Sequence, residues 1–207
     1  VASWEAMKTR YDAADTRRLP DDAPDRAGLL ADRDYPAGIA VNGPFWQLRE
    51  WLGFEPLCTG ILTQPDLIDD MLSFWTDFVD TMLCAALATY PVDYVFIHED
   101  MAYKAHSMIS PEQARTLLLP SYHRWVQTIK QRYGVPLVVM DSDGYVEDLI
   151  PLWIDAGIDA CNPIEVAAHN DIVRFRTRFG KRMAYWGGID KRAIAAGGAA
   201  VEQEVER

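Results

Sequence analysis

The chain of 207 residues is short of basic charge: 20 Lys and Arg stand against 31 Asp and Glu, a formal net charge of −11. That balance repels phosphate backbones and anionic lipid, so neither nucleic acid nor a membrane surface is an expected partner. Cysteine is scarce too. Cys58, Cys84 and Cys161 are odd in number and lack CxxC spacing, which leaves no disulfide framework or thiolate zinc cluster in view; each reads as a buried small hydrophobe. No GxGxxG follows the first strand and no Walker sequence occurs, which removes the usual nucleotide signatures. No apolar run approaches the roughly 18 to 20 residues that span a bilayer, and the opening VASWEAMKTRYDAAD is too polar for a signal peptide. A soluble, cytoplasmic protein is the expectation.

What is present is a core. Hydrophobic residues make up 49% of the chain, enough for one sizeable domain. Its organising stretch is Val92 to Lys104, VDYVFIHEDMAYK, where a β-branched and aromatic run ends abruptly in His98-Glu99-Asp100. This is the pattern of a buried strand that delivers polar groups at its C-terminal tip. Val135 to Val139 repeats it, ending in Met140-Asp141-Ser142-Asp143-Gly144, and two more tips follow at Asn162-Pro163-Ile164-Glu165 and Trp186-Gly187-Gly188-Ile189-Asp190.

Around these tips the helices can be placed in order. Residues 1–36 read as an N-terminal leader or surface segment, with a short helix near Ser3 to Tyr11 and a solvated loop from Thr16 to Asp34, and residues 37–207 as the domain proper. Gly38 to Val41 is a short strand, followed by a helix from Phe45 to Leu52 that Gly53 closes. Pro65 and Asp66 open a long helix to about Ala88; Leu67, Met71, Phe74, Phe78 and Met82 on one face, with Ile68, Leu72, Trp75, Val79 and Leu83 beside it, imply heavy burial. Ser110-Pro111-Glu112-Gln113 is a capping box that starts a helix to about Arg132. A helix from Tyr145 to Ala156 is expected to kink or restart at Pro151 and to stop at Gly157. Ile158 to Cys161 and Met183 to Trp186 are the remaining strands. Asn170 or Asp171 caps a helix to Phe179, and Asp190 caps a final helical region divided by Gly197-Gly198.

Strands alternating with helices imply right-handed βαβ units and a parallel sheet. Acidic tips on four strands favour a barrel, which converges its strand ends on one mouth. The expected fold is therefore an α/β TIM (β/α)8 barrel, incomplete here, because five strands are found where eight are needed.

Asp141 and Asp143 lie two apart and would face one side of an extended strand end, with Glu99, Asp100, Glu165 and Asp190 around them. Such a cluster serves as a general acid beside a general base, or it binds a cation. Helix capping is the plainer reading of Asp143 and Asp190. His98 suits a mixed nitrogen and oxygen site or a structural hydrogen bond. Tyr103 and Lys104 follow closely enough to reach the mouth, and Trp186 with Gly188 suits close backbone approach to a ligand.

These same residues carry a resemblance. HEDMAYK, MISPEQ, the strand ending in DSDG, GIDACNPIEV, FGKRMAYWGGIDKRAI and the terminal EVER resemble the uroporphyrinogen decarboxylase family in its broad sense, which includes cobalamin-dependent methyltransferases. The resemblance runs from about Gly43 onward and implies an active site at the C-terminal mouth of the barrel. For a methyltransferase it implies zinc or another divalent metal on Asp141, Asp143 and Glu99, with a corrinoid supplied by a partner protein. His98, Asp100, Tyr103, Lys104, Glu165, Trp186, Gly188 and Asp190 would then be substrate contacts. In that branch a His-x-Cys pair stands where this chain has Asp141-Ser142-Asp143, so a carboxylate site would replace the thiolate one. The alternatives are cofactor-free decarboxylation of a tetrapyrrole acetate in porphyrin biosynthesis, and a non-catalytic binding barrel. A small-molecule substrate and a homodimer complete the expectation.

Overall fold

The computed structural model describes residues 2–206. The chain builds α1 (Ala2–Lys8), a 3-10 turn (Thr16–Arg18), α2 (Ala23–Ala31), β1 (Gly38–Asn42), α3 (Pro44–Leu52), α4 (Phe54–Thr63) and α5 (Pro65–Thr89). It continues with β2 (Tyr94–His98), α6 (Pro111–Val126) running on as a wider π-type segment (Gln127–Arg132), β3 (Leu137–Asp141), α7 (Ile150–Ala156) and β4 (Ala160–Ile164). The last elements are α8 (Ile172–Phe179), β5 (Ala184–Gly187), α9 (Lys191–Ala196) and α10 (Ala199–Glu206). The five strands form one parallel sheet in sequential order, the arrangement of part of a (β/α)8 barrel.

Alternation along the strands sorts the sheet into two faces. Val95, Ile97, Val138, Met140 and Cys161 are buried on the helix side, in one cluster with Leu48, Met71, Leu83, Trp125 and Trp153. The other face carries Tyr94, Phe96, Leu137 and Trp186 and is only partly covered. At the C-terminal end of that face Asn42 pairs with His98, His98 with Asp141 and Asp141 with Asn162. Partners in register point the same way, so these four residues form one polar row across the sheet.

Local signals account for most element ends. Ser110 accepts from the Gln113 amide at 3.1 Å while Gln113 reaches back to the Ser110 amide, the full capping box. Asp171 caps α8, and Gly157, in the left-handed region, ends α7.

Four expectations need correction. Ala23–Ala31 is helical rather than loop, with Pro24 in its first turn. Phe54–Thr63, between the Gly53 and Pro65 stops, forms a helix where the sequence pattern marks none. The helix expected from Tyr145 begins only at Ile150, because Asn170 holds the preceding chain open: its Oδ1 accepts from Val146 N at 3.1 Å and its Nδ2 donates to Gly144 O at 2.8 Å. Finally, α5 is long and apolar enough to cross a membrane by length and composition. Its Ile68, Met71, Leu72, Trp75, Val79 and Leu83 go into the core instead. The N-terminal segment is also tied down: Trp4 and Tyr11 pack on Trp51, Phe74 and Trp75, and Trp4 Nε1 donates to Asp70.

Candidate active site at the strand tips

The middle of the polar row is a pair. His98, the last residue of β2, hydrogen-bonds through Nδ1 to the Asp141 carboxylate at the end of β3. His98 is half-exposed on the open face, and its ring lies 4.4 Å from the Trp46 ring, centroid to centroid, at 63°. Parallel pairing makes the contact, since register places the two residues opposite each other. Asn162 stands next in the row, and its Oδ1 is buried with no hydrogen-bond partner.

Beyond His98 the chain turns sharply. Asp100 adopts φ +42°, which a non-glycine residue tolerates only when its surroundings hold it. Arg49 supplies that hold, donating to Asp100 O and Oδ2 at 2.9 Å each, with its guanidinium 4.3 Å over the Trp46 ring. The Asp141 carbonyl accepts from Glu99 N at 2.9 Å and Asp100 N at 3.2 Å.

The turn sends Glu99 inward. It is fully buried, accepts from Trp46 N at 2.9 Å and Phe45 N at 3.4 Å in the first turn of α3, and accepts from the Tyr122 hydroxyl. A Cβ on Gly43 would run into its carboxyl group, so glycine there makes the space. Burial pushes the Glu99 carboxyl up to about 7, against the pull of its three donors and Arg49.

On the other side of the mouth, Asp143, Ile164, Glu165, Gly188, Ile189 and Lys191 line a cavity of about 180 Å³. Partial burial, then the like charges of Glu165, Asp100 and Asp141, raise the Asp143 carboxyl, with Lys191 opposing. Glu165 moves the opposite way: it accepts from the Lys191 ammonium, which holds it below its ordinary value, and from Gly144 N at 2.9 Å. Gly144 has φ +82°, and a Cβ there would strike the Ala102 carbonyl, so this turn can be close only as glycine.

The remaining sequence candidates scatter. Asp190 caps α9, accepting from Arg192 N at 2.9 Å, and pairs with the Arg192 guanidinium. Asp143 caps nothing, because α7 starts at Ile150. Trp186 and Tyr103 are 60% and 54% exposed, Tyr103 against Phe54, and Lys104 is exposed on the loop after β2. Gly188 donates to Ile164 O at 2.9 Å and joins the cavity wall. The structure thus brings together His98 with Asp141, and Asp143 with Glu165 and Gly188, and it separates Glu99 and Asp190 from both. Sequence reasoning missed Trp46, Arg49 and Tyr122, and named Asn170 only as an alternative to Asp171 for the cap of α8. A signal for the first two was available: Trp46 and Arg49 are three apart on a helix whose start, Asn42-Gly43-Pro44, directly follows a strand tip.

A metal site on Glu99, Asp141 and Asp143 does not fit this arrangement. Glu99 faces α3, Asp141 faces His98 and Asp143 faces the cavity. Among the described residues no group of three or more His, Cys, Asp or Glu side chains is placed to hold a metal ion.

Comparison with known proteins bears on the fold and the family. No curated protein matches the chain. A solved methyltransferase from Methanosarcina mazei shares the fold with a TM-score of 0.62 at 16% identity, over 76% of this chain and 44% of that one, so this chain spans less than half of that protein's length. Residues 30–207 match the family model for uroporphyrinogen decarboxylase (URO-D), and the chain belongs to that family.

Proposed function

We propose that this chain supplies the β2 to β5 side of the active-site mouth of a methyl-transferring enzyme, with His98 as the group that handles the proton. The observation that carries the reading is the His98–Asp141 hydrogen bond at the mouth. An ionised carboxylate can only accept, so Asp141 holds the imidazole with its proton on Nδ1 and leaves the Nε2 lone pair free to act as a base. When a nucleophile X–H attacks a methyl donor, the X–C bond forms, the bond from methyl to donor breaks, and the proton on X passes to Nε2. Trp46 fixes the ring from one side, and the half-exposed imidazole faces the open mouth where the acceptor would sit. The methyl donor in this reading is a corrinoid carried by a partner protein. Support for methyl transfer over decarboxylation comes from two sides: the shared fold with a methyltransferase, and the carboxylates Asp141 and Asp143 at the mouth, close enough for like-charge repulsion to raise Asp143 and unfavourable to a polycarboxylate tetrapyrrole.

The test supplies methylcobalamin and a panel of small thiols and follows loss of the methyl-corrinoid absorbance. His98→Ala is expected to lower the rate about 10²- to 10⁴-fold, the usual weight of a general base. Absence of methyl transfer in the unaltered protein, with turnover of uroporphyrinogen instead, would overturn the reading in favour of decarboxylation.

A further inference from the structure

Glu99 sits one residue beyond His98 yet has no path to the mouth. Its carboxyl group is enclosed by the first turn of α3, the Tyr122 hydroxyl and the space that Gly43 leaves. From the same helix two side chains return to the strand tip that carries Glu99: Trp46 lies against the His98 ring, and Arg49 grips Asp100 and stacks on Trp46. The contacts therefore form a loop, running from Glu99 to the Trp46 amide, through the Trp46 ring to His98, and along the backbone back to Glu99.

A helix start needs no buried acid. Ser110, Asp171 and Asp190 serve α6, α8 and α9 from residues in sequence with those helices, whereas Glu99 reaches α3 across 53 residues of chain to Trp46 and bears the desolvation of a carboxyl group. We infer that Glu99 is a positioning residue, whose carboxyl group clamps the first turn of α3 to the tip of β2 and, through Trp46 and Arg49, sets the orientation of the His98 ring. The inference rests on the proposed role of His98 only for its catalytic consequence.

The test therefore avoids turnover and follows the His98 ring signals by NMR in the full chain. Trp46→Leu defines the position of those signals with the indole removed. Glu99→Met keeps the volume and removes the acceptor; Gly43→Ala displaces the carboxyl group without altering it. Both are expected to move the His98 signals toward the Trp46→Leu position, whereas Glu99→Gln, which still accepts from the Trp46 amide, keeps them near the original. Tyr122→Phe removes the donor on the far side and is expected to lower stability without moving them. If Glu99→Met does not fold, Gly43→Ala decides. Unmoved His98 signals in the folded variant, or an equal displacement in Tyr122→Phe, would overturn the inference. Because no methyl acceptor is involved, its failure is distinct from failure of the proposed reaction.

Discussion

Two glutamates occupy the same place on different strands. Glu99 is the first residue after β2 and Glu165 the first after β4, and each accepts a backbone amide from a neighbouring segment, Trp46 N and Gly144 N respectively. They differ in their side-chain partner. Glu99 meets the hydroxyl of Tyr122 in a fully buried space, and Glu165 meets the ammonium of an exposed Lys191. Burial raises the first carboxyl to about 7, and the cation lowers the second. An acidic strand tip is thus no single chemical signal; what the next loop does with it decides its role.

The largest consequence is a pH dependence of opposite sign at the two positions. Between its unfolded value of 4.5 and its folded value of about 7, Glu99 is protonated when folded and ionised when unfolded. The folded state then binds more protons, so this contribution to stability is fully present below the unfolded value and is lost as pH rises through about 7. The shift corresponds to about 3 kcal/mol. Urea denaturation from pH 4 to pH 8 is expected to show this loss in the unaltered protein and a flatter curve in Glu99→Gln. Glu165, with its lowered value, contributes above its unfolded value, and that contribution fades as pH falls through the folded one. Glu165→Gln should therefore remove a smaller term of the opposite slope. Equal slopes in the two variants would break the comparison.

A second effect falls on the β4 tip, which lacks the burial that fixes the β2 tip and relies on Asn170. That side chain is buried and bonds Val146 N, Gly144 O and Glu165 O. Asn170→Ala leaves Val146 N and Gly144 O without their partner, while Glu165 O keeps the Ala168 and Asn170 backbone amides, and is expected to cost about 2 kcal/mol by denaturation, with the turn at Gly144 loosened. Hydrogen exchange at Val146 should quicken in the variant, while exchange at Trp46, held by Glu99, stays slow.

The same contrast explains which parts of the site were legible in the sequence. All five strands are legible to within about three residues, the end of β4 at Ile164 being the furthest from expectation, because apolar runs ending at polar tips mark parallel strands directly. The capping residues Ser110, Asp171 and Asp190 and the stops at Gly53 and Gly157 were legible because their partners lie within a few residues. The direction of each tip side chain was not. Period-two alternation holds only while the chain stays extended, and Asp100 leaves the strand with φ +42°. Glu99 was therefore expected at the mouth and lies beneath α3. Asp141 and Asp143, two apart, were expected to share a side, but β3 ends at Asp141 and the turn into Gly144 carries Asp143 to a cavity away from His98. The His98–Asp141 pair depends on strand register, which no single segment reveals.

The most direct test of the account is the protonation pattern of the His98 ring, read from its ¹⁵N chemical shifts. In its neutral form His98 should carry the proton on Nδ1, facing Asp141, with Nε2 bare toward the mouth, and Asp141→Asn should disturb that preference. A neutral ring protonated on Nε2, or one indifferent to Asp141→Asn, would contradict the assignment of His98 as the base.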